Sequence, residues 1–149
     1  MIRVFSPNDK TFTSNGDAVI RPFKAKVHKE DNGKFYLNIE ADISYVDILT
    51  ANRIIVADTP QGEQAFRIKN PEKTKHKITI KAPHISYDAE NYVIADSYVV
   101  DKNCNDAMDH LNSATDNPSP FQTYSDIAMV DSYRCVRTSL YEAFSTVLE

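Results

Sequence analysis

The sequence predicts a mainly β chain of the α+β class, with two or three helices. Two hairpins that alternate in the same way, and a change of pattern after residue 101, carry that expectation. In the first hairpin Phe23, Ala25 and Val27 alternate with Lys24, Lys26 and His28. Beyond Asp31-Asn32-Gly33 the alternation resumes with Phe35, Leu37, Ile39, Ala41 and Ile43. Apolar residues hold odd numbers on both arms, so keeping them on one face needs a three-residue loop, a type I turn followed by a left-handed Gly33. Val27 then faces Leu37, Ala25 faces Ile39, and Lys24 faces Glu40. The second hairpin is read the same way around Pro60-Gln61-Gly62, with Val56 facing Phe66 and Ile54 facing Ile68.

The other elements follow in order. Residues 2–5 predict a short opening strand, and Asn15-Gly16-Asp17 a turn into the first hairpin, 20–43. Residues 44–52 are compatible with one helical turn. Residues 75–82 alternate again as a strand that Pro83 ends or places at an edge, and 92–100 form a last β run. The period then becomes helical. Asn103 stands three residues before Asp106, a capping arrangement, and Ala107, Met108, Leu111 and Ala114 recur at helical spacing. Asn117-Pro118-Ser119-Pro120 breaks the chain, and 121–130 reads as extended. From Cys135 onward Val136, Leu140, Phe144 and Leu148 recur every four residues, with Ala143 and Val147 beside them, which predicts an amphipathic helix. With its apolar stripe still running and no cap, that helix is expected to belong to a longer protein. The expected organisation is an antiparallel β domain over 1–101 and the helix–strand–helix start of a second domain over 102–149.

A chain of 149 residues, 42% hydrophobic and 26% charged, can bury a real core. Its net charge of −4 argues against a general nucleic-acid binder. Lys73, Lys75, His76, Lys77 and Lys81 make a local basic strip, read as a solvated loop and outer strand face. Cys104 and Cys135 show no metal spacing and read as buried thiols of a protein made in the cytosol. No apolar stretch approaches a membrane span. His28, His76, His84 and His110 share no ligand spacing, and a zinc site needs three or four converging ligands. Glu40, Asp42, Asp47, Asp96, Asp101, Asp106 and Asp109 fit outward strand positions and a first helical turn better than a glycosidase pair. Asp101, Asp106 and Asp109 lack the glycine and closing glutamate of a calcium loop, and the three glycines sit in turns rather than in a phosphate cradle. No catalytic residue, metal or cofactor is therefore expected. Tyr36, Tyr45, Tyr87, Tyr92 and Tyr98 are candidates for a protein-contact face.

The order of these stretches resembles the N-terminal region of the tail-associated lysin (Tal), or prophage tail endopeptidase, family of phage tail proteins. The similar stretches are Met1-Ile2-Arg3-Val4-Phe5, Leu37-Asn38-Ile39-Glu40-Ala41, and Asn52-Arg53-Ile54-Ile55-Val56 leading to Gln64-Ala65-Phe66-Arg67-Ile68. The run from Ile78 through Ala82-Pro83-His84-Ile85-Ser86-Tyr87-Asp88 resembles the family's strand into a turn. The helix at Asp106-Ala107-Met108 and Ser139-Leu140-Tyr141-Glu142-Ala143 resemble the start of its second domain. The resemblance implies a barrel-like β domain of the baseplate-hub type, followed by the start of an α/β second domain. It further implies a virion structural protein made in the bacterial host cytoplasm and placed at the tail tip. Its partners would be the distal tail protein and the tail tube or tape measure, with a homotrimer in the full-length protein and no membrane or sequence-specific nucleic-acid partner. The family's peptidase residues have no counterpart here, so any lysin activity would lie in C-terminal domains. The alternative is a module associated with a cell-wall hydrolase, or a carbohydrate-binding β module.

Overall fold

The computed structural model describes residues 1–30 and 33–147, and the chain divides into two compact units, Met1–Ile85 and Ser86–Glu149. It is mainly antiparallel β with helices, as the sequence predicts. The division falls ahead of the expected boundary at 101/102, because the strand ending at Asn103 pairs with residues 130–139 and not with the first unit's sheets. No described helix is long and apolar enough to cross a membrane.

The first unit holds β1 (Ile2–Phe5), β2 (Ala18–Ile20), β3 (Lys24–Lys29), β4 (Phe35–Asp42), β5 (Ile54–Thr59), β6 (Gly62–Arg67), β7 (Glu72–Lys73) and β8 (Lys77–Pro83). They form two four-stranded sheets, ordered β2-β1-β5-β6 and β3-β4-β8-β7. Neither sheet closes on itself among the described residues, so two open sheets stand where the resemblance implied a barrel-like domain. An isolated bridge between Phe66 and His84 stitches them at one seam. Their inner faces share one core: Ile2, Val4, Ile55 and Phe66 come from one sheet, and Leu37, Ile39, Ile78 and Ile80 from the other. A 3₁₀ helix at Ile43–Tyr45 is capped by the Asp42 carboxylate, which accepts from the Ser44 N–H at 2.9 Å, and Leu49 in the turn beyond is fully buried.

The first hairpin has the expected register, with Val27 opposite Leu37, Ala25 opposite Ile39 and Lys24 opposite Glu40. The Glu30 N–H donates to the Lys34 carbonyl at 3.0 Å, closing a loop whose Asp31 and Asn32 lie outside the described residues. The left-handed Gly33 expected there cannot be placed without them. Phe23 is not a core residue: it stands before β3 and is 69% exposed. The second hairpin departs from the expected register by one residue. Ile55 pairs with Phe66 and Thr59 with Gly62, around a two-residue loop of Pro60 and Gln61. The physical reason is that β5 buries both faces. Ile55 and Ala57 enter the shared core, while Ile54 and Val56 join Phe5 and Ala65 in a second cluster on the sheet's outer side. An unbroken apolar run carries no parity signal.

That second cluster is roofed by Phe12, whose ring meets Phe5 edge-on at 5.1 Å. Three arginines hold the loop that carries it. Arg3, only 8% exposed, donates from Nη1 to the carbonyls of Phe12 (2.9 Å) and Ser14 (2.7 Å), and its Nη2 lies 2.7 Å from Glu63. Arg53 donates to the Phe5 carbonyl at 3.3 Å and pairs with Asp17. Arg67 reaches the carbonyls of Pro7 (3.0 Å) and Asn52 (2.7 Å).

A 3₁₀ helix, Ile85–Asn91, starts on the last residue of the first unit, and the second unit continues with β9 (Val93–Asn103), α1 (Cys104–Ser113), β10 (Val130–Ser139) and α2 (Leu140–Val147). Asn103 caps α1 as expected, its Oδ1 accepting from the Asp106 N–H at 2.9 Å. The strand expected over 121–130 lies instead at 130–139, and 121–129 have no regular structure. The helix expected from Cys135 begins at Leu140, because Cys135 and Val136 pair with Ser97 and Asp96 of β9. Leu140 and Ala143 are fully buried with Ile94 and Leu111, and Phe144 packs against them. The stripe therefore splits: Val136 faces solvent on a strand, its helical part packs on its own unit, and Leu148 lies outside the described residues.

Gly62 has φ +94° with open space where a Cβ would stand, so Gly62→Ala should cost about 1 kcal/mol from the backbone alone. Gly16 has φ +68°, and a Cβ there would collide with the Val4 carbonyl that accepts the Asp17 N–H at 2.8 Å. Gly16→Ala should therefore destabilise the first unit more than Gly62→Ala, as read by urea denaturation of the two variants. In the same assay Arg3→Met should cost about 2 kcal/mol or more, while Glu63→Gln, at a half-exposed partner, should cost less than about 1.

Candidate interaction surfaces

Two exposed sheet faces stand out. The first is the outer face of β3-β4-β8-β7. Period-two alternation puts Lys24, Lys26 and His28 there beside Tyr36, Asn38 and Glu40 of β4, and Thr79 and Lys81 of β8. All of these but Tyr36, together with Asn70 and Glu72, line a recess of about 340 Å³. Its charge is unevenly cancelled. Glu40 receives the Lys77 ammonium at 2.7 Å and the Lys24 ammonium at 3.8 Å, and the hydrogen bond from Lys77 holds its carboxyl below the ordinary glutamate value. Lys26 and Lys81 have no ion-pair partner among the described residues. The Tyr36 ring stacks on His28 at 4.8 Å and has the Lys81 ammonium over it at 4.3 Å.

The second surface is the outer face of the β9–β10 ribbon. Tyr98 (67% exposed), Val100 (54%) and Val136 (50%) point outward, while Ser97, Val99 and Cys135 point in. Arg134 donates to both Asp96 oxygens, at 2.9 and 2.6 Å, across the strands. Where the pairing slips between Asp131 and Tyr133, Asp101 adopts φ +47° and its N–H donates to Ser132 Oγ at 2.8 Å. This bulge lies beside an open trough lined by Tyr98, Val100, Ser132 and Arg134.

The residues weighed for chemistry do not converge. His28 lies on the cationic face, His84 stacks on Phe35 at 4.3 Å and meets Gln64 at 3.0 Å, and His76 and His110 are exposed in a loop and on α1. Asp42 caps the 3₁₀ helix, Asp96 pairs with Arg134, Asp101 sits in the bulge, Asp106 hydrogen-bonds to the Asn103 cap, and Asp109 hydrogen-bonds to Thr123. Among the described residues no group of three or more His, Cys, Asp and Glu could hold a metal ion. Cys104 and Cys135 are buried and free, as expected, and burial pushes the Cys135 thiol and the Tyr133 phenol up. Of the five tyrosines marked for contact, only Tyr98 is strongly exposed. Tyr87 stacks on Tyr141 at 5.1 Å, and Tyr45 and Tyr92 pack against the cores. Exposed Tyr124, Ile127 and Met129 went unmarked, because they lie in a segment without alternation. Comparison with protein-family models, curated protein sequences and solved structures returns no match.

The double hydrogen bond from Arg134 lowers the Asp96 pKa from 3.8. A depressed folded-state pKa stabilises the fold above the unfolded value, and that contribution disappears as pH falls through the folded one. NMR titration of the Asp96 carboxyl should give a midpoint below 3.8 that moves back toward it in Arg134→Ala. An unchanged midpoint would mean the pair is absent in solution.

Proposed function

We propose that this chain is a structural, protein-binding part of a phage or prophage tail tip or baseplate hub, and not itself an enzyme. The resemblance of its stretches to the tail-associated lysin family supports this reading. The single observation that carries it here is the solvent-facing row of Tyr98, Val100 and Val136 on the β9–β10 ribbon. Apolar side chains alternating outward on an open ribbon suit a protein partner better than solvent. On this reading the distal tail protein and the tail tube or tape measure are its partners, a homotrimer is the full-length state, and the virion tail is its location. On this reading the hub-type β domain expected over 1–101 would be built around the first unit, whose two open sheets are bridged by Phe66 and His84.

Mixing the purified chain with the distal tail protein encoded beside its gene should give a complex on size exclusion. Tyr98→Glu with Val136→Glu should abolish it while leaving the melting transition in place. Antibody against the chain should label the tail tip of particles from the source strain, and unlabelled tails together with no complex would refute the reading. Incubation with peptidoglycan or casein, with and without divalent metals, should release nothing above buffer. Cleavage lost on changing one Asp, Glu, Cys or His would reverse the non-enzymatic assignment.

A further inference from the structure

We propose that β3 is a docking edge that takes an extended acidic segment of another protein as an added strand. Three observations meet there. The order β3-β4-β8-β7 leaves β3 at the end of its sheet, with no strand on its outer side among the described residues. The hydrogen bond from Glu30 N–H to the Lys34 carbonyl sets the phase of the ladder. Lys24, Lys26 and His28 therefore turn their backbone groups toward β4, and Ala25, Val27 and Lys29 turn theirs to the open edge. A free, regularly spaced row of donors and acceptors is what strand addition uses.

The side chains on either side of that edge specify the occupant. On the outer face stand Lys24, Lys26 and His28, backed by Lys81, against two carboxylates, Glu72 and a Glu40 already shared by Lys24 and Lys77. On the inner face Ala25 and Lys29 are exposed and Val27 is only half-buried, so the shared core thins toward this edge. An added strand whose acidic residues face the lysines, and whose apolar residues extend the inner face, would complete both. A second copy of β3 would bring lysine against lysine and is repelled, the usual effect of lysines on an edge strand. This chemistry is independent of the tail reading, since it rests on the first unit's sheet alone.

The test uses a short fluorescent peptide of alternating Glu and Val with blocked ends, and its Lys-Val counterpart, read by anisotropy against the intact chain. The Glu-Val peptide should bind and the Lys-Val peptide should not. Lys24→Glu with Lys26→Glu should weaken binding by ~tenfold or more. Ala25→Pro removes an edge N–H, leaves every charge in place and should abolish binding. A reading that needs no variant is amide hydrogen exchange, in which the peptide should slow Ala25, Val27 and Lys29 selectively. No binding at low salt, or binding with unchanged exchange at those amides, would overturn the proposal. So would inorganic polyphosphate that binds as tightly and survives Ala25→Pro, which would make the face an anion surface instead.

Discussion

Strand β1 is four residues long and every one of them is buried, one of them an arginine. Its Ile2 and Val4 side serves the shared core, and its Arg3 and Phe5 side would lie bare without the loop carrying Phe12. A loop has no ladder of its own to hold it on a sheet. Arg3, Arg53 and Arg67 supply the substitute, each donating to backbone carbonyls of that loop or its flanks. Guanidinium donors suit this work because a buried carbonyl needs a partner and the planar fork reaches two at once. The sheet β2-β1-β5-β6 owes its second buried face to this arrangement, and β5 owes to it the apolar run at Ile54–Ala57.

That run also explains where the sequence was hard to read. In the first hairpin one face is wet, so lysines mark every second position and the register follows from the letters alone. In the second, Ile54 to Ala57 are apolar without break, and the expected pairing of Val56 with Phe66 gives way to Ile55 opposite Phe66 because the outer cluster buries Ile54 and Val56 as well. The same ambiguity moved the last helix. Val136 and Leu140 are four apart, but one is a strand residue facing solvent and the other opens a helix facing the core. Periodicity cannot distinguish those when the change of element falls between them. By contrast, the cap at Asn103 was legible because its chemistry is local, a side-chain oxygen and an N–H three residues on.

Of the surfaces, the lysine alternation was visible as a solvated face, but its imbalance was not. The sharing of Glu40 by two lysines from β3 and β8, and the placing of Lys81 over Tyr36, depend on which strands lie beside β4. The ribbon face was even less accessible to sequence reading. Tyr98 could be named as a candidate, yet Val100 and Val136 became its companions only once β10 paired with β9. Chemistry-bearing residues stay apart in both units, and each has a local structural partner or an outward position.

The two units keep separate cores, one built by β-sheet residues before Ile85 and the other by Ile94, Leu111, Leu140 and their neighbours. Each unit therefore brings a hydrophobic cluster of its own to folding. The units also differ in when they can form during synthesis. The first is complete once residue 85 has emerged, while the second waits for α2 to deliver Leu140 and Ala143 to a core begun by β9. Until then its inward Ile94 and Cys135 have no cover from that helix, which leaves the nascent second unit the more exposed to misassociation.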